Sequence, residues 1–273
     1  MTEEIDKEEF EKRIKLAAKI IKNSNYVVAF TGAGISTESG IPDFRGKDGL
    51  WKKVDPKTAT IEYYLEDPSR YWSRYLPENE EKRKGGMGDI LSRKPNVGHL
   101  ALAELEKIGK LKAIITQNID NLHQKAQEQL DSGDCEVIEL HGNVVSCHCM
   151  NCGLKETRES VINRVRNGEL PPLCTKEDCD GLMKTDTILF GESLPPDAIM
   201  KAQAYSQRCD CMIILGSTLT VYPAASYPHI AESSGAKLII INLDETVKDF
   251  LADIVIHGKI GDVLPKITEK VKN

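Results

Sequence analysis

Residues 27–46 read VVAFTGAGISTESGIPDFRG. The stretch begins with a short apolar run that is typical of a buried strand. It then breaks into Gly32-Ala33-Gly34, where missing side chains let a backbone turn tightly and approach a ligand closely. Residues 36–39 are typical of a helix start, whose free N–H groups and positive dipole end would face a pyrophosphate. The stretch therefore predicts a phosphate-binding turn between a strand and a helix.

The glycine spacing departs from the usual dinucleotide-binding pattern. In G-x-G-x-x-G the third glycine follows the second by three residues, which would be position 37 in this chain. The next glycine is Gly40, three residues beyond that position. A strand-to-helix turn that binds nothing is therefore an open alternative. The residues that follow place an acid, an aromatic ring and a guanidinium beside the turn, in Asp43, Phe44 and Arg45. Such a set is costly to place in a loop for packing alone, which favours a binding site.

Further motifs match those of a known family in the same order. They are TQNIDNLH at 116–123, LHG at 140–142, two cysteine pairs, FGE at 190–192, GSTL at 216–219 and IN at 241–242. Together with residues 32–46, they resemble the signature of the sirtuins, NAD-dependent protein-lysine deacylases, in a prokaryotic-type catalytic core. The resemblance covers nearly the whole chain, and what it implies is stated below as expectation.

Charge and composition exclude some classes of protein. The chain has 273 residues and a formal net charge of −6, whereas nucleic-acid binders usually show a basic face. No apolar run approaches membrane-spanning length, and the acidic N-terminus lacks the apolar core of a secretory signal. We therefore expect a cytoplasmic protein that binds neither nucleic acid nor membrane. Its eight cysteines should stay reduced, available as metal ligands or core residues.

Six short apolar runs predict a parallel sheet. They are continuous, rich in β-branched residues and separated by helical stretches, and they lie at 26–30, 111–115, 137–140, 212–215, 238–241 and 254–256. An amphipathic helix with Ile14 and Ile21 on its apolar stripe precedes the first run. We expect an α/β fold with a Rossmann-like six-stranded parallel sheet. Ligands bind such sheets at the carboxyl ends of the strands, and each motif follows a strand run.

Two stretches interrupt the alternation of strands and helices. Residues 47–90 are rich in aromatic and charged residues and show helical but no strand patterning, and residues 143–187 hold most of the cysteines. The interpretation is a Rossmann-like NAD-binding domain with a helical insert at 47–90 and a small zinc-binding module at 143–187. The NAD-binding domain would comprise residues 1–46, 91–142 and 188–273.

The cysteine spacing predicts a zinc site. Two short pairs lie twenty-one residues apart, as Cys149-x₂-Cys152 and Cys174-x₄-Cys179. This is the form of two chelating turns, and four thiolates would leave no open position, so the metal should be structural. Buried thiols or a disulfide are the alternative. Cys147 and His148 are close enough to compete as ligands, but the resemblance assigns the four cysteines of the pairs. Lys184-Thr185 stands where the family usually has Arg-Pro.

His141 directly follows the predicted strand at 137–140. Histidine is the side chain best suited to take a proton near neutral pH, although a structural role is the alternative. The resemblance makes His141 the general base that acts on a hydroxyl of the nicotinamide ribose, and it makes Asn118 the second catalytic residue. His99 and His123 are predicted to be structural, capping or positioning groups.

The resemblance also implies a set of NAD-binding residues. The set includes Gly32 and Gly34 of the phosphate-binding turn, and Ile119. The ribose and nicotinamide would be held by Ala33, Ile41, Asp43, Phe44, Gln117, Asn118 and Asp120, with Ser36 and Arg45 in the same pocket. The adenosine half would be held by Gly216, Ser217, Thr218 and Asn242. From the residues alone, helix capping by Asn118 or Asp120 remains an alternative, and small polar residues also occur in ordinary Rossmann turns.

The peptide substrate would bind by strand addition between residues 190–192 and 220–222. The implied substrate-binding residues are Ile188, Phe190, Gly191, Glu192 and Val221. Ile188 would cap the tunnel for the acylated lysine. Without the resemblance, core packing is the alternative for Ile188 and Phe190.

The resemblance implies an NAD-dependent protein-lysine deacetylase that acts on acetyl-lysine-bearing proteins or peptides. The amide oxygen of acetyl-lysine would attack the anomeric carbon of NAD and expel nicotinamide. The final products would be O-acetyl-ADP-ribose and deacetylated lysine. Mono-ADP-ribosyl transfer from the same site is one alternative. A module that senses a dinucleotide without turnover and a dehydrogenase are two others. The dehydrogenase is disfavoured by the glycine spacing.

The helical insert predicts the preferred acyl group. Relatives that remove succinyl or malonyl groups carry a tyrosine and, three residues on, an arginine, which pairs with the acyl carboxylate. Counted from Asp67-Pro68, these positions fall on Tyr75 and Glu78. The acid predicts a preference for neutral acyl groups over longer acidic ones. The same spacing in Tyr71 and Arg74, one helical turn earlier, leaves a shifted register as the alternative.

Overall fold

The computed structural model describes residues 2–46, 49–79 and 87–273. Its strands are Val27–Thr31 (β1), Leu111–Thr116 (β2), Glu136–Glu139 (β3), Ser146–Cys149 (β4), Lys155–Thr157 (β5), Met183–Thr185 (β6), Cys211–Leu215 (β7), Lys237–Asn242 (β8) and Ile254–His257 (β9). Its α-helices are Thr2–Asn23, Ile61–Glu66, Pro68–Ser73, Val97–Lys107, Leu122–Leu130, Arg158–Arg166, Pro196–Arg208, Tyr227–Ser233 and Ile260–Lys272. Among the described residues, no helix combines the length and apolar character needed to cross a membrane.

The six-stranded sheet has the order β3-β2-β1-β7-β8-β9, and every neighbouring pair is parallel. All residues of β1 and β7 are buried. This is the reason for their continuous apolar sequence, because helices cover both faces of a parallel sheet. The predicted α/β fold with six parallel strands is confirmed.

Two apolar clusters lie on opposite faces of this sheet. On one face, Ile14, Leu102 and Leu264 come from three different helices and pack against the sheet. On the other face, Ala202 and Tyr227 come from two further helices. The result is a three-layer arrangement of helices, sheet and helices, in which the polar motifs lie at the ends of the strands.

A smaller antiparallel sheet, in the order β5-β4-β6, lies within residues 143–187. Sequence patterning did not indicate these strands, because three or four residues are too few to show an alternation. The helical insert contributes to their core, where Trp72 is fully buried among Val161, Val165 and Met183. Trp72 Nε1 also donates a hydrogen bond to the Met183 carbonyl at 3.0 Å. The insert and the cysteine-rich segment therefore share one core.

The segment after the glycine turn differs from the expected helix start. It forms a 3₁₀ helix, Ala33–Ser39, that ends at Gly40 with a φ of 79°. Thr37 Oγ1 donates to the Gly34 carbonyl at 2.9 Å, and such side-chain bonds to local backbone groups compete with a regular α-helix.

Candidate active site

A cavity of about 1300 Å³ opens at the carboxyl edge of the six-stranded sheet. Residues that follow β1, β2, β7 and β8 line one side of it. The helical insert and the segment after β6 line the other side. This is the position that the arrangement of a parallel sheet dictates for a ligand.

The glycine turn joins the end of β1 to the end of β7. Gly32 N donates to the Leu215 carbonyl at 2.9 Å, and Gly34 N donates to the Gly216 carbonyl at 2.8 Å. A Cβ atom on Gly34 would lie 2.6 Å from Gly216 Cα, so a side chain there would force the two segments apart. Glycine is therefore needed for this close approach of two backbones, which brings both motifs to one end of the cavity.

Three buried polar residues form a connected group beside the turn. Asn118 Nδ2 donates to the Gly32 carbonyl at 3.1 Å and to Ser36 Oγ at 3.2 Å. Ser36 Oγ in turn donates to Asp120 Oδ2 at 2.6 Å. The other oxygen of Asp120 accepts the N–H of Leu122 at 3.0 Å. Asp120 therefore also bonds the first N–H of helix Leu122–Leu130, as the helix-capping alternative predicted. The group holds an amide and a carboxylate in fixed orientation at the cavity wall.

His141 lies just beyond β3 with one ring nitrogen engaged. Its Nδ1 is 3.0 Å from the Gln117 carbonyl oxygen. Since a carbonyl only accepts, Nδ1 carries the proton and Nε2 carries the free lone pair. Burial lowers the pKa of His141, against the opposing effect of the Gln117 carbonyl. The imidazole is therefore neutral near pH 7 and able to accept a proton at Nε2.

Two other histidines lie behind the site. The rings of His99 and His123 are 5.0 Å apart, and His123 Nε2 is 2.9 Å from Thr31 Oγ1. Burial lowers the pKa of His123 to about 4 and lowers that of His99 well below its ordinary value. His99 also forms a capping box with Asn96 at the start of helix Val97–Lys107. The predicted capping role of His99 is confirmed.

The loop after the glycine turn is closed by Asp43. Its Oδ1 accepts the N–H of Gly46 at 2.8 Å. The Phe44 ring packs 5.2 Å from the Trp51 ring, which lies 6.2 Å from the Phe190 ring. These aromatic contacts connect the loop to the segment after β6. Sequence reasoning did not single out Trp51, although it noted that residues 47–90 are rich in aromatic residues.

The expected substrate segment is held by hydrogen bonds on both sides. Ile188 N donates to the His141 carbonyl at 2.9 Å, and Phe190 N donates to the Ala59 carbonyl at 2.9 Å. Glu192 Oε2 lies 3.0 Å from the ammonium of Lys184, which is only 1% exposed. The segment therefore touches both the catalytic candidate and the helical insert.

Every residue predicted for the NAD and substrate sites lines this one cavity, as does His141. Their individual roles remain predictions. Several further lining residues had no motif to mark them in the sequence: Trp51, Tyr64, Arg158 and Lys259. They come from elements far apart along the chain, which only the fold brings together.

The prediction that Glu78 lies where it would repel the carboxylate of an acidic acyl group is wrong. Glu78 lies on an exposed 3₁₀ turn, Pro77–Asn79, and is not among the residues that line the cavity. Tyr71, Arg74 and Tyr75 do line it. The turn after helix Pro68–Ser73 carries Glu78 away from the cavity, because the helix ends before that residue.

The four predicted zinc ligands converge. Sγ atoms of Cys149, Cys152, Cys174 and Cys179 all lie within 4.8 Å of one another. The Sγ atoms of Cys149 and Cys179 are 3.7 Å apart, and those of Cys152 and Cys174 are 3.6 Å apart. Zinc–sulfur distances of about 2.3 Å in a tetrahedron place sulfurs about 3.8 Å apart, whereas a disulfide requires about 2.05 Å. The residues therefore fit a zinc ion and not a disulfide.

Backbone donors around these sulfurs suit thiolates. Asn151 N and Cys152 N point at Cys149 Sγ at 3.3 and 3.4 Å, and Lys176 N points at Cys174 Sγ at 3.4 Å. The rival ligands are engaged elsewhere. Cys147 is fully buried in the shared core, and His148 Nδ1 lies 2.5 Å from Asp186 Oδ1.

The model of the family described as "Sir2 family" matches residues 32–223. The chain belongs to the Sir2 family. A protein of Saccharolobus solfataricus, named an NAD-dependent protein deacetylase, is 45% identical over 258 residues, covering 94% of this chain and 96% of its own. A protein of Sulfurisphaera tokodaii with the same name is 44% identical over 254 residues, covering 93% and 94%.

Solved Sir2 structures share the fold. One, from work on the mechanism and regulation of Sir2 enzymes, has a TM-score of 0.81 at 42% identity and covers 96% of this chain and 98% of its own. Another, of a Sir2 protein with a p53 peptide and NAD⁺, has a TM-score of 0.78 at 40% identity, with coverages of 92% and 95%.

Proposed function

We propose that this Sir2-family chain is an NAD-dependent protein-lysine deacetylase that yields nicotinamide, O-acetyl-ADP-ribose and deacetylated lysine. The observation that carries the proposal is His141, a neutral imidazole whose Nε2 has no hydrogen-bond partner among the residues that the structure describes. It lines the same cavity as Asn118, Asp120 and Ile188, and its backbone carbonyl accepts the Ile188 N–H. Relatives named NAD-dependent protein deacetylases support it.

The NAD site of the proposal is the sheet edge. The glycine turn would face the pyrophosphate, and the residues after β7 and β8 would hold the adenosine half. Asn118, Asp120 and Ser36 would hold the ribose and nicotinamide half. NAD would supply the ADP-ribose unit that accepts the acetyl group, with release of nicotinamide. A Sir2 structure with NAD⁺, at 40% identity, supports this placement.

The chain's own contribution to the chemistry is a proton acceptor held in a fixed orientation. His141 accepts a proton at Nε2 while its Nδ1–H stays bonded to the Gln117 carbonyl, which fixes the tautomer. Gln117 is itself tied to Ser217 Oγ through its side-chain amide at 2.9 Å. The ring therefore keeps its orientation relative to both strands that carry the NAD site.

The partner of the proposal is an acetyl-lysine-bearing protein or peptide. Its extended backbone would lie between residues 190–192 and 220–222 as an added strand, with the acetylated lysine entering beside Ile188. A solved Sir2 protein bound to an acetylated peptide supports this mode. The net charge of −6 suits basic, lysine-bearing partners better than nucleic acid.

We also propose a structural zinc in a module at 143–187. The helical insert would comprise residues 47–90, and the rest of the chain would form the NAD-binding domain. The four cysteines would hold the metal and leave no open coordination position, so its contribution is to folding. A cytoplasmic location is also proposed, supported by eight unpaired thiols.

The test is mass spectrometry of an acetyl-lysine peptide incubated with the protein and NAD. The expected products are nicotinamide and O-acetyl-ADP-ribose in equal amounts, together with free lysine. Mono-ADP-ribosyl transfer, the rival from the same site, would leave label from the adenylate part of NAD on protein. Consumption of NAD without loss of acetyl groups would contradict the proposal.

A further inference from the structure

A chain of polar side chains joins the large sheet to the zinc module beside His141. We refer to it as the polar junction, and its members are Gln124, Glu139, Asn143, Ser146 and Asp186. Each member forms a hydrogen bond with the next in this order. None of them lines the cavity, so none is among the residues expected to touch NAD or substrate. Any effect of the junction on the reaction must therefore pass through another residue.

Asn143 bonds both sides of the turn that carries His141. Its Nδ2 donates to Glu139 Oε2 at 3.0 Å, before the turn. Its Oδ1 accepts the N–H groups of Val145 and Ser146 at 3.1 and 3.2 Å, after the turn, and the Ser146 hydroxyl at 3.1 Å. This arrangement suits an amide, because one side chain must donate on one side and accept on the other.

The turn itself is tightly packed. Gly142 has a φ of 66°, and its N–H donates to the Glu139 carbonyl at 3.2 Å. A Cβ atom on Gly142 would lie 1.8 Å from the Asp186 carbonyl oxygen. His141 precedes this glycine, and its own carbonyl accepts the Ile188 N–H at 2.9 Å. A displacement of the turn would therefore move the backbone of His141 and the segment after β6 together.

Glu139 is a half-buried carboxylate held by two neutral donors. Gln124 Nε2 donates to its Oε1 at 2.8 Å, and Asn143 donates to its Oε2. Burial raises the pKa of Glu139, and the charges of Asp120 and Asp186 act in the same direction, whereas the two amide donors oppose them. The charged form of Glu139 is therefore stabilised by the same hydrogen bond that closes the turn.

On the module side, the junction ends at the start of the peptide segment. The Ser146 hydroxyl donates to Asp186 Oδ2, and the Asp186 N–H donates to the Ser146 carbonyl at 2.9 Å. His148 and Lys155 pair with Asp186 from the neighbouring strands. Asp186 directly follows β6 and lies two residues before Ile188. The junction thus connects the end of β3, the start of β4 and the end of β6.

We propose that Asn143 is a positioning residue for His141. By bonding Glu139 and the start of β4 at once, it holds the turn where the imidazole reaches the nicotinamide ribose. The inference rests on the proposed function, because the base that is positioned is the one assigned there. A misplacement of about 1 Å in a catalytic group can lower a rate by about 10²-fold. Since Asn143 does not line the cavity, the effect should appear in kcat.

Asn143→Asp is the most selective change. The two side chains have the same shape, and the carboxylate keeps an oxygen for the N–H groups of Val145 and Ser146. It loses the donor to Glu139 and places a second carboxylate at the 3.0 Å contact, where both groups cannot stay ionised. Asn163→Asp is the matched control, since it makes the same change at an exposed position of the module.

The double variant Glu139→Gln/Asn143→Asp restores the hydrogen bond with donor and acceptor exchanged. The new amide can accept from Gln124 and donate to the new carboxylate, whereas Glu139→Gln alone sets two donors against each other. With an acetyl-lysine peptide, kcat should fall by about 10- to 100-fold in Asn143→Asp and recover most of that loss in the double variant. Asn163→Asp should match wild type, and the KM for NAD should stay unchanged throughout.

Two further measurements separate positioning from damage to the fold. The ratio of kcat in Asn143→Asp to kcat in wild type should rise from pH 8 to pH 6, because a proton shared by the two carboxylates restores a hydrogen bond between them. The NMR signals of the His141 ring, assigned by their loss in His141→Ala, should shift in Asn143→Asp and return in the double variant. Zinc content should stay as in wild type.

A kcat in Asn143→Asp equal to that in Asn163→Asp would overturn the proposal. So would an equal loss in Asn143→Asp and the double variant, or a loss that follows the loss of zinc. If wild-type protein deacetylates no peptide, the proposed function fails, whereas the His141 signals still decide whether Asn143 positions the ring.

Discussion

The six-stranded sheet and the zinc module are stabilised by different means. β1 and β7 are wholly buried between two layers of helices. The module has strands of three or four residues, and the buried core around it includes Trp72 and Tyr64 from the helical insert. We therefore expect hydrophobic burial to hold the sheet together, and the module to depend on its metal ligands and on the aromatic rings of the insert.

This difference separates two kinds of contribution to one cavity. The sheet edge supplies the candidate chemistry through residues that follow its strands, with His141 and Asn118 as examples. The module supplies position, because β6 leads directly into the segment that carries Ile188 and Phe190. Damage to the sheet edge should therefore remove activity without unfolding, and damage to the module should unfold one region and take activity with it.

The largest expected effect is the loss of zinc. Cys149→Ala should unfold residues 143–187 and abolish activity, because structural zinc contributes about 10–16 kcal/mol to folding in small metal-dependent domains. The sheet should remain folded. Metal analysis and hydrogen exchange check both parts.

Cys209→Ala is the control, since Cys209 is buried in the sheet core at 3% exposure. It should keep its zinc and lose about 1 kcal/mol of stability. Protein with reduced thiols, no zinc and a protected module would contradict the prediction.

His141→Ala tests the sheet edge, the region that is compared with the zinc module. We expect deacetylation to fall by about 10²- to 10⁴-fold, because a positioned general base is lost. NAD binding, zinc content and the unfolding transition should stay as in wild type. Steady-state kinetics and calorimetry measure these quantities. His229→Ala, at an exposed histidine, should leave the rate unchanged. Unchanged turnover in His141→Ala would remove His141 from the mechanism.

Lys184→Met tests the boundary between the two regions. The Lys184 ammonium bonds the carbonyl oxygens of Thr185 and Thr187 at 3.0 and 2.6 Å and pairs with Glu192. Its loss leaves two carbonyl oxygens and the half-buried Glu192 carboxylate without their cation, which should lower the free energy of unfolding by about 1–3 kcal/mol. The KM for peptide should rise more than the KM for NAD.

Lys184→Arg should keep most of the stability, because it keeps the charge. Lys155→Met serves as the exposed control, as its side chain is 75% exposed. Denaturant unfolding measures the change in the free energy of unfolding. Kinetics in which peptide and NAD are varied separately measure the two KM values. Equal changes in both KM values would show that Lys184 does not act on the peptide segment in particular.

The smallest expected effect is on the pH profile. The base form of His141 is the neutral one, so kcat/KM should be flat at neutral pH and fall as the pH drops below the pKa of His141. Because burial lowers that pKa, the fall should begin below pH 6.5, the ordinary value for histidine. A profile measured from pH 5 to 8 checks this. A midpoint above 6.5 would contradict a buried, neutral His141.

The sequence by itself determined the sheet and its chemical edge. Short, continuous apolar runs rich in β-branched residues and separated by helical stretches favour strands buried on both faces. The order of the runs places the motifs that follow β1, β2, β3, β7 and β8 at carboxyl ends of the sheet. The spacing of the two cysteine pairs likewise indicated a metal site, because a chelating turn is a local structure. The resemblance to the sirtuins was needed to choose Cys149 and Cys152 over Cys147 and His148.

Only the tertiary structure decided which distant side chains meet. Arg158 and Tyr75 are 83 residues apart, and no local pattern relates them. Glu78 was placed in the cavity by counting along a helix that in fact ends at Ser73. The shared core of Trp72 and Met183 was equally invisible. Periodicity reports which face of an element is buried, but the identity of its partner depends on how the elements pack.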